Sequence, residues 1–151
     1  MDDFDFLPLE RQLALVHDVA SAALPAWGMQ TAKLELLKHR ENSVFKVTPE
    51  TGEPTVMRVH RKDYHSDTQL ASELQWLGTL RAAGVATTVG VPCSDGALFA
   101  KISTTALPEG RQCDMLRWVA GDPIGSIEEG VNLDDDTLET VYQQVGEQAA
   151  L

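Results

Sequence analysis

Two residues stand out for chemistry. Arg58 lies inside the β-branched segment T-V-M-R-V-H-R, Thr55 to Arg61, and Glu73 lies inside the helical pattern that follows. A guanidinium on a strand, oriented by a carboxylate on the next helix, presents a fixed fork of N–H donors of the kind that binds phosphate oxygens. The chemistry this pairing points to is phosphoryl transfer.

The helical step of roughly 100° per residue decides where Glu73 points. It falls between Leu77 and Leu80 on the face that also carries Leu70 and Leu74, so the carboxylate is turned inward. An inward carboxylate costs several kcal/mol unless it finds a cation or donors. Period-2 alternation puts Val56, Arg58 and His60 on one strand face and Met57 and Val59 on the other, which makes Arg58 the best candidate partner. A second reading stays open, in which Glu73 sits at the rim of the apolar face and meets Arg81 or water.

The 151 residues are 43% hydrophobic and 23% charged, enough for one globular domain with a core. Twelve basic against 23 acidic residues give a net charge of −11, which argues against general nucleic-acid binding and against an anionic membrane surface. From Lys33 to Lys62 the balance reverses, with seven basic residues against four acidic ones. This suits an anion site, and it equally suits strands that carry charge to stay soluble and to protect their edges. Cys93 and Cys113 have neither zinc-ligand nor disulfide-framework spacing and read as buried thiols in a reducing compartment. The acidic opening M-D-D-F-D-F and the lack of a long apolar run predict no signal peptide and no membrane span, hence a cytoplasmic protein.

Helical spacing of Leu9, Leu13, Val16, Ala20 and Ala23 predicts an amphipathic helix over Pro8 to Ala26, closed by Pro25 and Gly28. Lys33 to Lys38 and Ser43 to Thr48 read as strands joined by H-R-E-N, and P-E-T-G-E turns the chain into the strand of Arg58. A helix from Ser66 to Ala83 stops at Gly84. V-P-C-S-D-G suggests a turn between short strands, with further strands at Ala97 to Ile102 and Gln112 to Val119. After the breaker G-D-P-I-G-S, Asp134 to Asp136 cap a closing helix with an apolar stripe at Leu138, Val141, Tyr142, Val145 and Ala149. The fold class is α+β, with about five antiparallel strands.

This order, with its local wording, resembles the N-terminal, ATP-binding lobe of the aminoglycoside phosphotransferase and choline kinase-like families, which share the protein kinase-like fold. E-N-S-V-F-K-V looks like the family's first hairpin, T-V-M-R-V-H-R its phosphate-contacting strand, S-E-L-Q-W-L its following helix, and D-M-L-R-W-V-A-G-D-P-I the last strand with the adenine-contacting linker. The resemblance implies a helical segment over 1–30, a kinase-like small lobe over 31–120, and over 121–151 a linker with the first helix of an otherwise absent C-terminal lobe. It implies that Arg58 holds ATP phosphates, Glu73 orients Arg58, Val56 lines the base pocket, the turn of Arg40, Asn42 and Ser43 covers the phosphates, and Trp118, Val119 and Ala120 meet adenine. The turn R-E-N-S has no glycine, unlike the loop of protein kinases, which favours the small-molecule branch.

The family's H-G-D-x-x-x-x-N loop and later metal-binding Asp have no counterpart here. The chain is therefore expected to bind ATP, with Mg2+ only beside a complete C-terminal lobe, and to be inactive alone; the hydroxyl acceptor, a small molecule or Ser/Thr, is open. The triple acid at Asp134 reads as a helix cap rather than a metal site. His60, on the face of Arg58, is expected to face solvent, with an approach to phosphate as the alternative, and His17, His39 and His65 show no partner constellation. Replacing Arg58 by Ala is expected to weaken nucleotide binding and spare the fold. Two alternatives stand beside this reading. One is a non-catalytic module that docks a partner or self-associates through its closing helix, and the other is an unrelated acidic α+β domain with a coincidental Arg/Glu pair.

Overall fold

The computed structural model describes residues 4–121, 124–126 and 130–149. A short 3-10 turn, Phe4–Phe6, precedes helix α1, Leu9–Ala23. Pro25 then tightens the chain into a 3-10 turn over Leu24–Trp27, and Gly28, at φ 67°, takes the left-handed conformation that ends it. The single helix expected as far as Ala26 is thus divided, and Leu9 of its apolar stripe is exposed.

Strands β1 (Lys33–His39), β2 (Asn42–Thr48), β3 (Thr55–His60), β4 (Phe99–Ile102) and β5 (Arg111–Arg117) form one sheet in the order β1-β2-β3-β5-β4, with every neighbouring pair antiparallel. This is the expected five-stranded sheet. The register shifts between Leu36 and Lys38, a bulge that together with Lys33, Glu35 and Lys38 protects the edge strand. The V-P-C-S-D-G region adds no strand of its own. It runs beside β5, where Gly90 bridges to Leu116 and Arg117 donates its N–H to the Val89 carbonyl. A small hairpin that the sequence did not suggest, β6 (Gly125–Ser126) and β7 (Gly130–Val131), follows in the linker.

The outer face of the sheet is the core. Phe45, Val47, Met57, Val59, Cys113 and Met115 are buried there against Val16, Val19, Ala20, Ala23 and Trp27, and each aliphatic side chain removed from water contributes roughly 1.5–3 kcal/mol. The Trp27 indole donates to the Val91 carbonyl at 2.8 Å, which satisfies its one polar atom. Both thiols are buried, and burial pushes their pKa values up.

Helix α2, Asp67–Ala82, serves the other face. Ser66 and Gln69 form a reciprocal capping box at its start, and Gly84, at φ 92°, lies just beyond its end. Its buried Leu70 and Leu74 lie outside the α1 cluster. Helix α3, Asp135–Ala149, begins where Asp134 accepts from the Thr137 N–H at 2.9 Å, the predicted cap. Gln148 of α3 accepts from the Ala86 N–H at 2.8 Å. No helix among the described residues is long and apolar enough to cross a membrane.

Candidate nucleotide site

Residues directly opposite in an antiparallel ladder share a sheet face. Register therefore places Asn42, Val44, Lys46, Val56, Arg58, His60, Asp114 and Leu116 together on the inner face, away from α1. Arg58 lies at its centre with three carboxylate contacts. Its Nη1 donates to Glu73 Oε1 at 2.7 Å, its Nε to Asp114 Oδ1 at 2.9 Å, and its Nη2 to Asp114 Oδ2 at 2.6 Å. The Arg58 to Glu73 pair inferred from helical geometry is present, while the Glu73 side chain stays 37% exposed, at the rim of the apolar face; among the described residues its ion pair is with Arg58 and not with Arg81. Asp114, which sequence reasoning passed over, contributes more of the hold than Glu73 does.

Burial opposes charge on both members of the strand pair. For Arg58 the hydrogen bonds and charge of Asp114, and then of Glu73, outweigh burial and raise its pKa. For Asp114 the hydrogen bonds from His60 and Arg58 outweigh burial and hold the carboxyl below its usual range. Arg58→Ala would leave the Asp114 carboxylate, 0% exposed, without its cation, so the expectation that this change spares the fold is corrected.

His60 is also corrected. It shares Arg58's face as predicted, yet it is 1% exposed and its Nε2–H donates to Asp114 Oδ2 at 3.1 Å. His65 packs edge-on to its ring with 6.1 Å between centroids, and Tyr64 packs on His65. The loop after β3 therefore covers it. His60 Nδ1 and Oδ1 of its cross-strand neighbour Asn42 make no hydrogen bond.

The turn residues divide between the two faces. Asn42 belongs to the inner face. Ser43 points to the α1 side, where it is 3% exposed and meets His39 Nδ1 at 2.8 Å, so its hydroxyl is turned away from Arg58. Arg40 is exposed in the turn and lines, with Ser43, His39, Gln12 and Arg111, a cavity of about 90 Å³ toward α1. His39, for which the sequence showed no partner constellation, has two hydrogen-bond partners. Gln12 Nε2 donates to the Leu7 carbonyl at 2.8 Å, which leaves Gln12 Oε1 to accept from His39 Nε2–H at 3.1 Å; His39 Nδ1 then accepts from the Ser43 hydroxyl. Burial, and secondarily the charge of Arg61, lower the His39 pKa and favour this neutral form.

At the other end of the face, Lys46 Nζ lies 4.7 Å from the Trp118 ring centroid and draws the linker toward Val56, its own cross-strand neighbour. Val119 and Ala120 are exposed. A cleft of about 540 Å³ reaches Trp118 and Val119 but is lined otherwise by Arg81, Thr87, Thr88 and Arg117 rather than by Arg58. The phosphate and base candidates share the inner sheet face, and this cleft does not join them.

Sheet order, helix placement and the strand-to-helix ion pair define a kinase-like small lobe. Residues 33–151 match the model of the phosphotransferase enzyme family, APH, and the chain belongs to that family. It is similar to the structure of the microcompartment-associated aminopropanol kinase, with 28% sequence identity and a TM-score of 0.65 over 83% of this chain. The chain spans 37% of the length of that structure. No functionally curated protein matches it.

Proposed function

We propose that this chain is the nucleotide-binding part of an ATP-dependent phosphotransferase that delivers the γ-phosphate of ATP to a hydroxyl acceptor, with residues 31–120 as its binding lobe. The observation that carries this reading is the state of Arg58. It is held on the inner face beside half-buried Val56 and Leu116, and among the described residues three of its five N–H groups are engaged, so two remain for phosphate oxygens. Family membership and the aminopropanol kinase likeness support the same reaction class, and a small amino alcohol is one acceptor that fits.

In this reading Val56 and Leu116 wall the base, Trp118 to Ala120 meet its edge, and Asn42 with the turn backbone covers the phosphates. ATP supplies the transferable phosphoryl group when bound. Helix α1 and the turn over Leu24–Trp27, within 1–30, buttress the sheet, and 121–151 are read as the linker and first helix of a C-terminal lobe. The 151 residues contain no H-G-D-x-x-x-x-N segment, so in this reading they bind ATP without transferring its phosphate by themselves, and Mg2+ acts only beside a complete C-terminal lobe. A second reading, a docking module, is favoured by one feature: Tyr142 and Val145 of α3 are 68% and 60% exposed.

Titration with a fluorescent ATP analogue tests the proposal. Saturable binding that ATP and ADP displace better than AMP is expected. Arg58→Met combined with Asp114→Leu removes the pair without stranding a buried charge, and it should weaken binding at least about tenfold. Absence of saturable binding to the folded chain, together with self-association, would favour the docking module instead.

A further inference from the structure

Arg58 is gripped from two directions, and the two grips differ in kind. Glu73 reaches it from a helix with a single hydrogen bond, through a side chain that is 37% exposed. Asp114 lies directly opposite it on the neighbouring strand, is 0% exposed, and takes two parallel hydrogen bonds. Behind Asp114, His60 fixes Oδ2 with a third contact from the same face. A bidentate fork sets both the position and the plane of a guanidinium, whereas a single bond leaves it free to rotate about that contact.

We propose that Asp114, braced by His60, is the positioning residue for Arg58, and that Glu73 completes the clamp without setting it. This rests on the reading of Arg58 as the phosphate contact. The orientation of the guanidinium is then built into the sheet through β3 and β5, and it persists when α2 shifts. It also gives Arg a function that Lys cannot supply, since an ammonium has no planar fork to match a carboxylate. The N–H groups left on Nη1 and Nη2 are presented in a plane that Asp114 dictates.

The test compares Asp114→Asn with Glu73→Gln in the full chain, by two readouts. The first is the Arg58 Nε–H signal in 1H–15N spectra, which a hydrogen bond to a buried carboxylate keeps slow to exchange with water. The second is affinity for the fluorescent ATP analogue. Glu73→Gln should keep the signal and lose no more than about threefold in affinity, whereas Asp114→Asn should lose the protected signal and about tenfold in affinity. The proposal is overturned if Asp114→Asn keeps both, or if Glu73→Gln loses the signal. Should Asp114→Asn fail to fold, Glu73→Gln decides alone, since tenfold loss there would make the helix the positioning element. If the wild-type chain binds no nucleotide, the phosphate reading fails, while the Nε–H signal still decides what holds Arg58.

Discussion

The Lys46 ammonium sits over the Trp118 indole, 4.7 Å from the ring centroid, and so fastens the linker after β5 to the middle of β2. Lys46 is paired across the ladder with Val56, so this contact borders the surface proposed for the base. A cation over an indole face contributes about 0.5–1 kcal/mol where solvent still reaches it.

Lys46→Met, which keeps the apolar stem and removes the charge, should therefore lower stability by about 0.5–1 kcal/mol. Urea denaturation measures this. In a Trp27→Phe, Trp76→Phe background the Trp118 emission should shift as well, and unchanged emission would mean that the contact does not persist in solution.

Single replacements at the ion pair should separate sharply. Arg58→Ala leaves a fully buried carboxylate uncompensated and should cost roughly 3–5 kcal/mol. Glu73→Gln loses one half-exposed contact and should cost about 1 kcal/mol or less. Equal losses in chemical denaturation would contradict the structure.

The Asp114 carboxyl has an ordinary pKa of 3.8 and a lower one in the fold, because hydrogen bonds from His60 and Arg58 overcome its burial. The unfolded chain takes up this proton first, so the stabilisation is complete above pH 3.8 and is lost as pH falls through the lower folded value. Stability measured from neutral pH down to about pH 3 should fall less steeply in Asp114→Asn than in the wild type.

His39 behaves with the same sign in a higher window. Its folded pKa lies below 6.5, through burial and then the charge of Arg61, so stability declines as pH drops below 6.5 toward that folded value. Following the His39 ring by NMR should show titration below 6.5, and Arg61→Ala should move it upward.

Ser66 caps α2 through the Gln69 N–H at 3.2 Å, with Gln69 returning the bond to the Ser66 N–H at 2.8 Å. Ser66→Ala should cost about 1 kcal/mol, seen as a lower Tm. Because α2 carries Glu73 and not Asp114, nucleotide affinity should change little.

Short-range periodicity made much of this legible. Alternation along T-V-M-R-V-H-R assigned Met57 and Val59 to one face and Val56 and Arg58 to the other, because successive strand side chains must point oppositely. The helical angle brought Glu73 to the face that meets Arg58, and Ser, Asp and Gly signals marked both ends of α2 and the start of α3. These rules need only neighbours within a few residues.

Asp114, His60 and Ser43 needed the assembled sheet. Alternation along R-Q-C-D-M-L-R could have put Gln112, Asp114 and Leu116 on one face, and an acid in such an apolar strand calls for a cation, but its partner depended on β5 lying beside β3 in one register, 56 residues away in sequence. Burial of His60 required the loop after β3 to fold over it, and the place of Ser43 required α1 to cover the outer face. Register and coverage are long-range packing outcomes, decided by which apolar faces can be buried together, and local periodicity carries no term for them.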